Sequence, residues 1–162
     1  MKKAIILALG LTCIAGAGLY PSLGASVFFT PNGGAAIYYH GGIGYAFPEH
    51  WDMQLGVGYV SWTHDDQTYS IMPVMGSGTY HVLPRDSWFD LYGGLGLGYA
   101  WRHWGDAGDN SSPCGEVFAG TAVDVGGILG LGLSGGYLMD DLGQPDQGGF
   151  GLGVNLGIGV PF

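Results

Sequence analysis

Three groups of residues have the types that catalysis or metal binding needs, and their spacing decides whether they can do that chemistry. "THDDQ" sets His64 beside Asp65 and Asp66, an imidazole with acids to orient it, and "RHWGDAGDN" sets His103 ahead of Asp106 and Asp109. With His40, these are the candidate general bases. A hydrolytic site also needs a nucleophile within hydrogen-bond reach of its base. Ser111, Ser112 and Cys114 crowd into "NSSPCG" with no nucleophile motif around them. Asp106, Asp109 and Asn110 offer oxygen ligands, but not in the alternating order of a calcium loop. These stretches therefore read as solvated polar loops, with no catalytic centre, no cofactor and no resident metal. A weaker collective role remains: acidic loops that attract divalent cations, which in turn bridge to anionic headgroups.

The segments between these loops follow another rule. In the closing "GGFGLGVNLGIGVPF", Phe150, Leu152, Val154, Leu156, Ile158, Val160 and Phe162 alternate with Gly151, Gly153, Asn155, Gly157, Gly159 and Pro161. A period of two is that of a strand with unlike faces. "WDMQLGVGY", "AIYYHGGIGYAF", "WFDLYGGLGLGYAW" and "ILGLGLSGGYLM" repeat the pattern, and "GASVFFT", "YSIMPVMGSGTYHVL" and "EVFAGTAVDV" carry it more weakly. The total is about eight strands of roughly 9–13 residues, the length that crosses a bilayer when tilted. "FPEHW", "LPRDSW" and "VDVGG" are tight turns. The alternate connections "THDDQ", "RHWGDAGDNSSPCG" and "DDLGQPDQ" are longer and acidic, and only "TPNGG" is short.

Composition decides which face is inside. The chain has 162 residues, 34 of them glycine, and only 10% are charged. A soluble barrel would turn its apolar face inward and present water with a glycine surface almost devoid of charge, which invites association. Inverted, Leu, Val, Ile and Phe meet lipid and the glycine face lines a lumen. Tyr45, Phe47, Trp51, Tyr59, Trp62, Trp88, Phe89, Tyr99 and Trp101 then fall near strand ends, where aromatic rings suit the headgroup region. Closure is required in lipid, because an open sheet edge leaves backbone groups unpaired. The predicted fold is all-β, an eight-stranded antiparallel up-and-down transmembrane barrel.

At the N-terminus, "MKKAIILALGLTCIAGAG" has the charged start (Lys2, Lys3), short apolar core and small-residue site (Ala15-Gly16-Ala17) of a secretory signal. Residues 1–17 are expected to be removed, leaving 18–162 as the barrel. Cys13 follows Thr12 rather than a small residue, which disfavours lipidation. Export leaves Arg85 and Arg102 as the strong bases against 13 acidic residues, which excludes nucleic acid as a partner. It also leaves a single cysteine, Cys114, and hence no internal disulfide.

The run "IMPVMGSGTYHVLPRDSWFDLYGGLGLGYAW" and the closing "GIGVPF" resemble the small eight-stranded outer-membrane barrels, the superfamily of the OmpA membrane domain and OmpX. The resemblance implies an outer-membrane location, contact with outer-membrane lipid, and recognition of the terminal Phe162 by the barrel-assembly machinery. Segment 18–162 departs from the pattern in its lack of lysine, its lumenal glycine and its shorter loops.

Inside such a barrel the polar candidates are Arg102, Glu116, Asp90, Asp52, Gln54 and His40. Arg102 and Glu116 are expected near the outer mouth, paired across the loop they flank. Eight-stranded barrels are just wide enough for side chains to fill, so these charges read as a plug. The alternative, a gate or selectivity filter, draws on the abundant lumenal glycine, which would leave a cavity beside Tyr38, His40, Gln54 and Tyr92. The function expected is a non-enzymatic structural or surface-interaction role; the alternative is a narrow channel or transporter for small molecules.

Overall fold

Once alternating residues form a strand, the side of every residue is set. The computed structural model describes residues 18–30, 34–47, 50–83, 87–125, 129–143 and 149–158. They form β1 (Leu19–Phe29), β2 (Ala35–Ala46), β3 (Trp51–His64), β4 (Gln67–His81), β5 (Phe89–Trp104), a single 3-10 turn (Gly105–Ala107), β6 (Asp109–Val125), β7 (Leu129–Met139) and β8 (Gly149–Ile158). Each strand pairs antiparallel with the next, and β8 pairs with β1 from Ser22↔Gly157 to Phe29↔Phe150, closing the barrel. This is the eight-stranded up-and-down topology predicted above. The predicted signal segment and Phe162 lie outside the described residues.

Two connections are much shorter than the sequence suggested. "THDDQ" is a two-residue hairpin turn in which Asp65 and Asp66 both have positive φ, 48° and 60°. Such turns follow the twist of the flanking strands, and aspartate is among the few side chains that tolerate the conformation. Most of "RHWGDAGDNSSPCG" is strand, since the β5–β6 ladder runs without a break to His103↔Asp109. Polar residues extend this hairpin because its ladder bonds depend on the backbone, not on apolar side chains.

The faces divide as expected. Leu97 is 68% exposed, Leu55 65% and Leu133 62%, all on the outward face, while Phe28, Val60, Ile71 and Ala100 are buried in the lumen. Tyr45, Phe47, Trp51, Tyr59, Trp88, Tyr99 and Trp101 are exposed. Trp62 departs from the expectation: it is buried. The alternation of β3 continues unbroken past Tyr59, which places Trp62 on the inner face with Val60.

Glycine shapes this interior by close approach. The rings of Tyr20, Tyr38 and Phe118 occupy the space that a Cβ would need at Gly44, Gly58 and Gly94 on the neighbouring strands, and the Phe28 ring does the same at Gly149. Lumenal glycines are thus seats on which aromatic rings lie flat against bare backbone. Gly98 is tighter still, since a Cβ there would overlap the Val74 carbonyl oxygen and come within 2.7 Å of the Met75 Cα. Backbone cannot swing aside as a side chain can. Gly98→Ala is therefore expected to cost about 1–3 kcal/mol, read as a lower urea midpoint for loss of the compact unheated gel band. Outward-facing Gly76, with nothing within 4 Å of its Cβ position, should tolerate alanine without measurable change.

Candidate functional site

The lumen divides into three levels. At the end that carries the β1–β2, β3–β4, β5–β6 and β7–β8 connections, here the loop end, aromatic rings close the bore. Trp62 stacks on Tyr69 with centroids 5.7 Å apart and planes 14° apart. Trp104 meets both edge-on, at 6.0 Å and 5.7 Å, and Phe28 lies 6.5 Å from Trp62. Offset and edge-to-face rings are the favoured arrangements for aromatic pairs. Ile71, Met75, Cys114 and Leu138 pack into the same buried cluster. Cys114 is a free cysteine, fully buried.

Arg102 sits within this level, its guanidinium carbon 5.9 Å from the Trp104 ring centroid. Its partners are Asp140 at 3.5 Å and Asp141 at 3.1 Å, just beyond the end of β7. The Ser112 hydroxyl donates to the Asp140 carbonyl at 2.9 Å, tying the start of the β7–β8 connection to β6. The expected Arg102–Glu116 pair does not form. Arg102 stands opposite Asn110 in the ladder, whereas Glu116 stands opposite Gly96. Six residues of strand put them about 20 Å apart along the wall. The assumed loop between them is strand, which carries Glu116 down to mid-barrel.

At the opposite, turn end, Asp52 and Asp90 flank His81. The His81 ring meets Asp90 through Nδ1 and Asp52 through Nε2, the latter at 3.1 Å. The Tyr20 hydroxyl donates to the same Asp52 carboxylate at 2.8 Å, and the Leu83 amide donates to Asp90 at 3.3 Å. A carboxylate only accepts, so the imidazole donates on both sides. All four side chains are buried. The network joins β1, β3, β4 and β5, and the sequence reading named its two acids but missed His81 and Tyr20.

Between the two levels lies a cavity of about 230 Å³. Tyr38, His40, Gln54, Tyr92 and Glu116 line it together with Gly130, Gly132, Gly136 and Gly151. Gln54 donates to the Ser22 hydroxyl, and the His40 and Tyr38 rings lie 5.4 Å apart. Plug and cavity, alternatives in the sequence reading, therefore coexist at different heights.

The rim histidines meet acids and little else. His103 lies 2.7 Å from Asp109 and His64 lies 3.4 Å from Asp65, with both aspartates nearly fully exposed. Pairs this exposed contribute little to stability. Asp106 accepts from Gln67 at 2.6 Å, and Ser111 donates to the Tyr99 hydroxyl at 3.5 Å. Among the described residues no group of three His, Cys, Asp or Glu is placed to hold a metal ion.

No protein-family model matches the chain, and no curated protein matches its sequence. Solved structures match its shape. Neisserial surface protein A superposes with a TM-score of 0.69 at 12% identity, over 86% of this chain and 94% of that one. The N-terminal β-barrel domain of Pseudomonas aeruginosa OprF does so at 0.63 and 17% identity, over 86% and 95%. The outer membrane enzyme PagL does so at 0.56 and 15% identity, over 86% and 98%. The chain has the fold of the small eight-stranded outer-membrane β-barrels.

Proposed function

We propose that the chain is an exported, integral outer-membrane barrel without catalytic activity, whose work is structural or interfacial. In this reading the loop end faces outward, the turn end, with the start of β1 and the end of β8, faces the periplasm, and the leucine-rich wall meets lipid. The barrel-assembly machinery is its folding partner, through the C-terminal strand and Phe162. Acidic residues at the outer rim draw divalent cations towards anionic headgroups.

The observation that carries this reading is the closed loop end. The Trp62–Tyr69–Trp104 cap and the Arg102 ion pairs block the bore on the side where a channel would have to open. Neisserial surface protein A, by its name a surface protein, supports a role at the cell exterior, whereas PagL shows that this fold also hosts an enzyme. Catalysis would need a nucleophile hydrogen-bonded to a base. Among the described residues, the imidazoles of His64 and His103 meet carboxylates rather than hydroxyls.

The test has two parts. In outer-membrane fractions, the unboiled protein is expected to run as a compact band that shifts on heating; recovery as a soluble periplasmic protein with no shift would end the membrane reading. In planar bilayers the purified barrel is expected to show no steady open level. Stepwise ohmic conductance would replace the structural role with the narrow-channel alternative.

A further inference from the structure

Glu116 is, among the described residues, the charged group of the mid-lumen that the fold leaves without a counterpart. Among the described residues no hydrogen bond or ion pair engages its carboxylate, although Asp52 and Asp90 are matched by His81, and Asp140 and Asp141 by Arg102. Arg102 is the sole lysine or arginine among the described residues, and it is already committed at the loop end. A carboxylate inside a protein-walled lumen without a cation beside it is costly. It also concentrates a negative potential in a narrow, low-dielectric space.

The walls around Glu116 suit one kind of cation. Tyr38, Tyr92, Phe28 and Phe118 present ring surface to the same cavity. Rings attract organic ammonium groups through their negative faces, and gain most when the site is shielded from water. On β7, beside Glu116 and Phe118, Gly130, Gly132 and Gly136 leave the wall low, while Ser134 and Leu138 contribute side chains to the lining. The cavity is lined from Phe28 and Leu138, next to the aromatic cap, to Tyr20, Asp52, His81 and Gly130 towards the turn end. Its volume of about 230 Å³ is below the roughly 300–1,000 Å³ of pockets that take drug-sized ligands.

We propose that the lumen is a binding site for a small organic ammonium ion, held between the Glu116 carboxylate and the aromatic rings. The proposal rests on the cavity alone and stands whether or not the outer surface has the interfacial role given above.

The test uses the full-length mature barrel in a non-ionic detergent, with n-butylammonium and its neutral analogue n-butanol as probes, followed by saturation-transfer difference NMR. Wild type is expected to bind n-butylammonium saturably and at least tenfold more tightly than n-butanol. Glu116→Gln, with folding checked by the heat-dependent gel shift, should lower that preference to within twofold of unity. Equal affinity of wild type for the two probes would overturn the proposal without reference to any variant. It also fails if the glutamine variant binds n-butylammonium as wild type does, or if equimolar sodium displaces the amine completely.

Discussion

Arg102→Leu is expected to lower the stability of the folded barrel by about 3–5 kcal/mol, the usual cost of removing one partner from a buried ion pair. The reason lies in what the substitution leaves behind. Asp140 is fully buried and Asp141 nearly so at the side chain, and Arg102 is the cation that faces both. Leucine fills much of the same volume, so the loss is electrostatic rather than a cavity effect. The measurement is the urea midpoint for loss of the compact gel band in detergent. Asp141→Asn should cost much less, because Arg102 keeps Asp140 and the Asp141 side chain retains some contact with solvent. Equal losses for the two variants would mean that the Arg102–Asp141 pair, rather than the buried Asp140, carries the stabilisation.

His81→Leu is expected to cost a similar amount, about 3–5 kcal/mol, at the other end of the lumen. It strands two buried carboxylates, Asp52 and Asp90, that both accept from the imidazole. Tyr20 still donates to Asp52, and the Leu83 amide still donates to Asp90, but neither carries charge. The diagnostic is a triple variant. Adding Asp52→Asn and Asp90→Asn to His81→Leu should recover part of the loss, since the stranded charges are then gone. No recovery on adding them would show that His81 acts through shape rather than charge.

The outward faces of β2, β3 and β5 were legible because each alternates bulky apolar residues with glycine or polar ones, which leaves no doubt about the side. β4 was different. Ile71, Pro73 and Met75 face inward while Met72 and Val74 face outward, so apolar residues occupy both faces and the period cannot say which way His81 points. That is why the sequence yielded Asp52 and Asp90 but not the base between them. The partners of Arg102 were hidden by another feature: Asp140 and Asp141 stand just past the end of β7, where alternation stops, and read as part of an acidic loop. Glu116 was misplaced because "NSSPCG" has loop composition but ladder geometry. In the last case backbone pairing, which any residue can join, carried a strand beyond its apolar signature.

The Phe28 ring resting on Gly149 has a consequence for how the barrel closes. β1 and β8 are the first and last strands made, and their pairing is the final seam. Phe28 belongs to the first and Gly149 to the last. If β8 docks one residue out of step in the direction that brings Phe150 to the place of Gly149, two bulky rings compete for a space that holds one. The seam therefore carries a one-way register check, a side chain from the oldest strand that stops the youngest from sliding past its glycine in that direction.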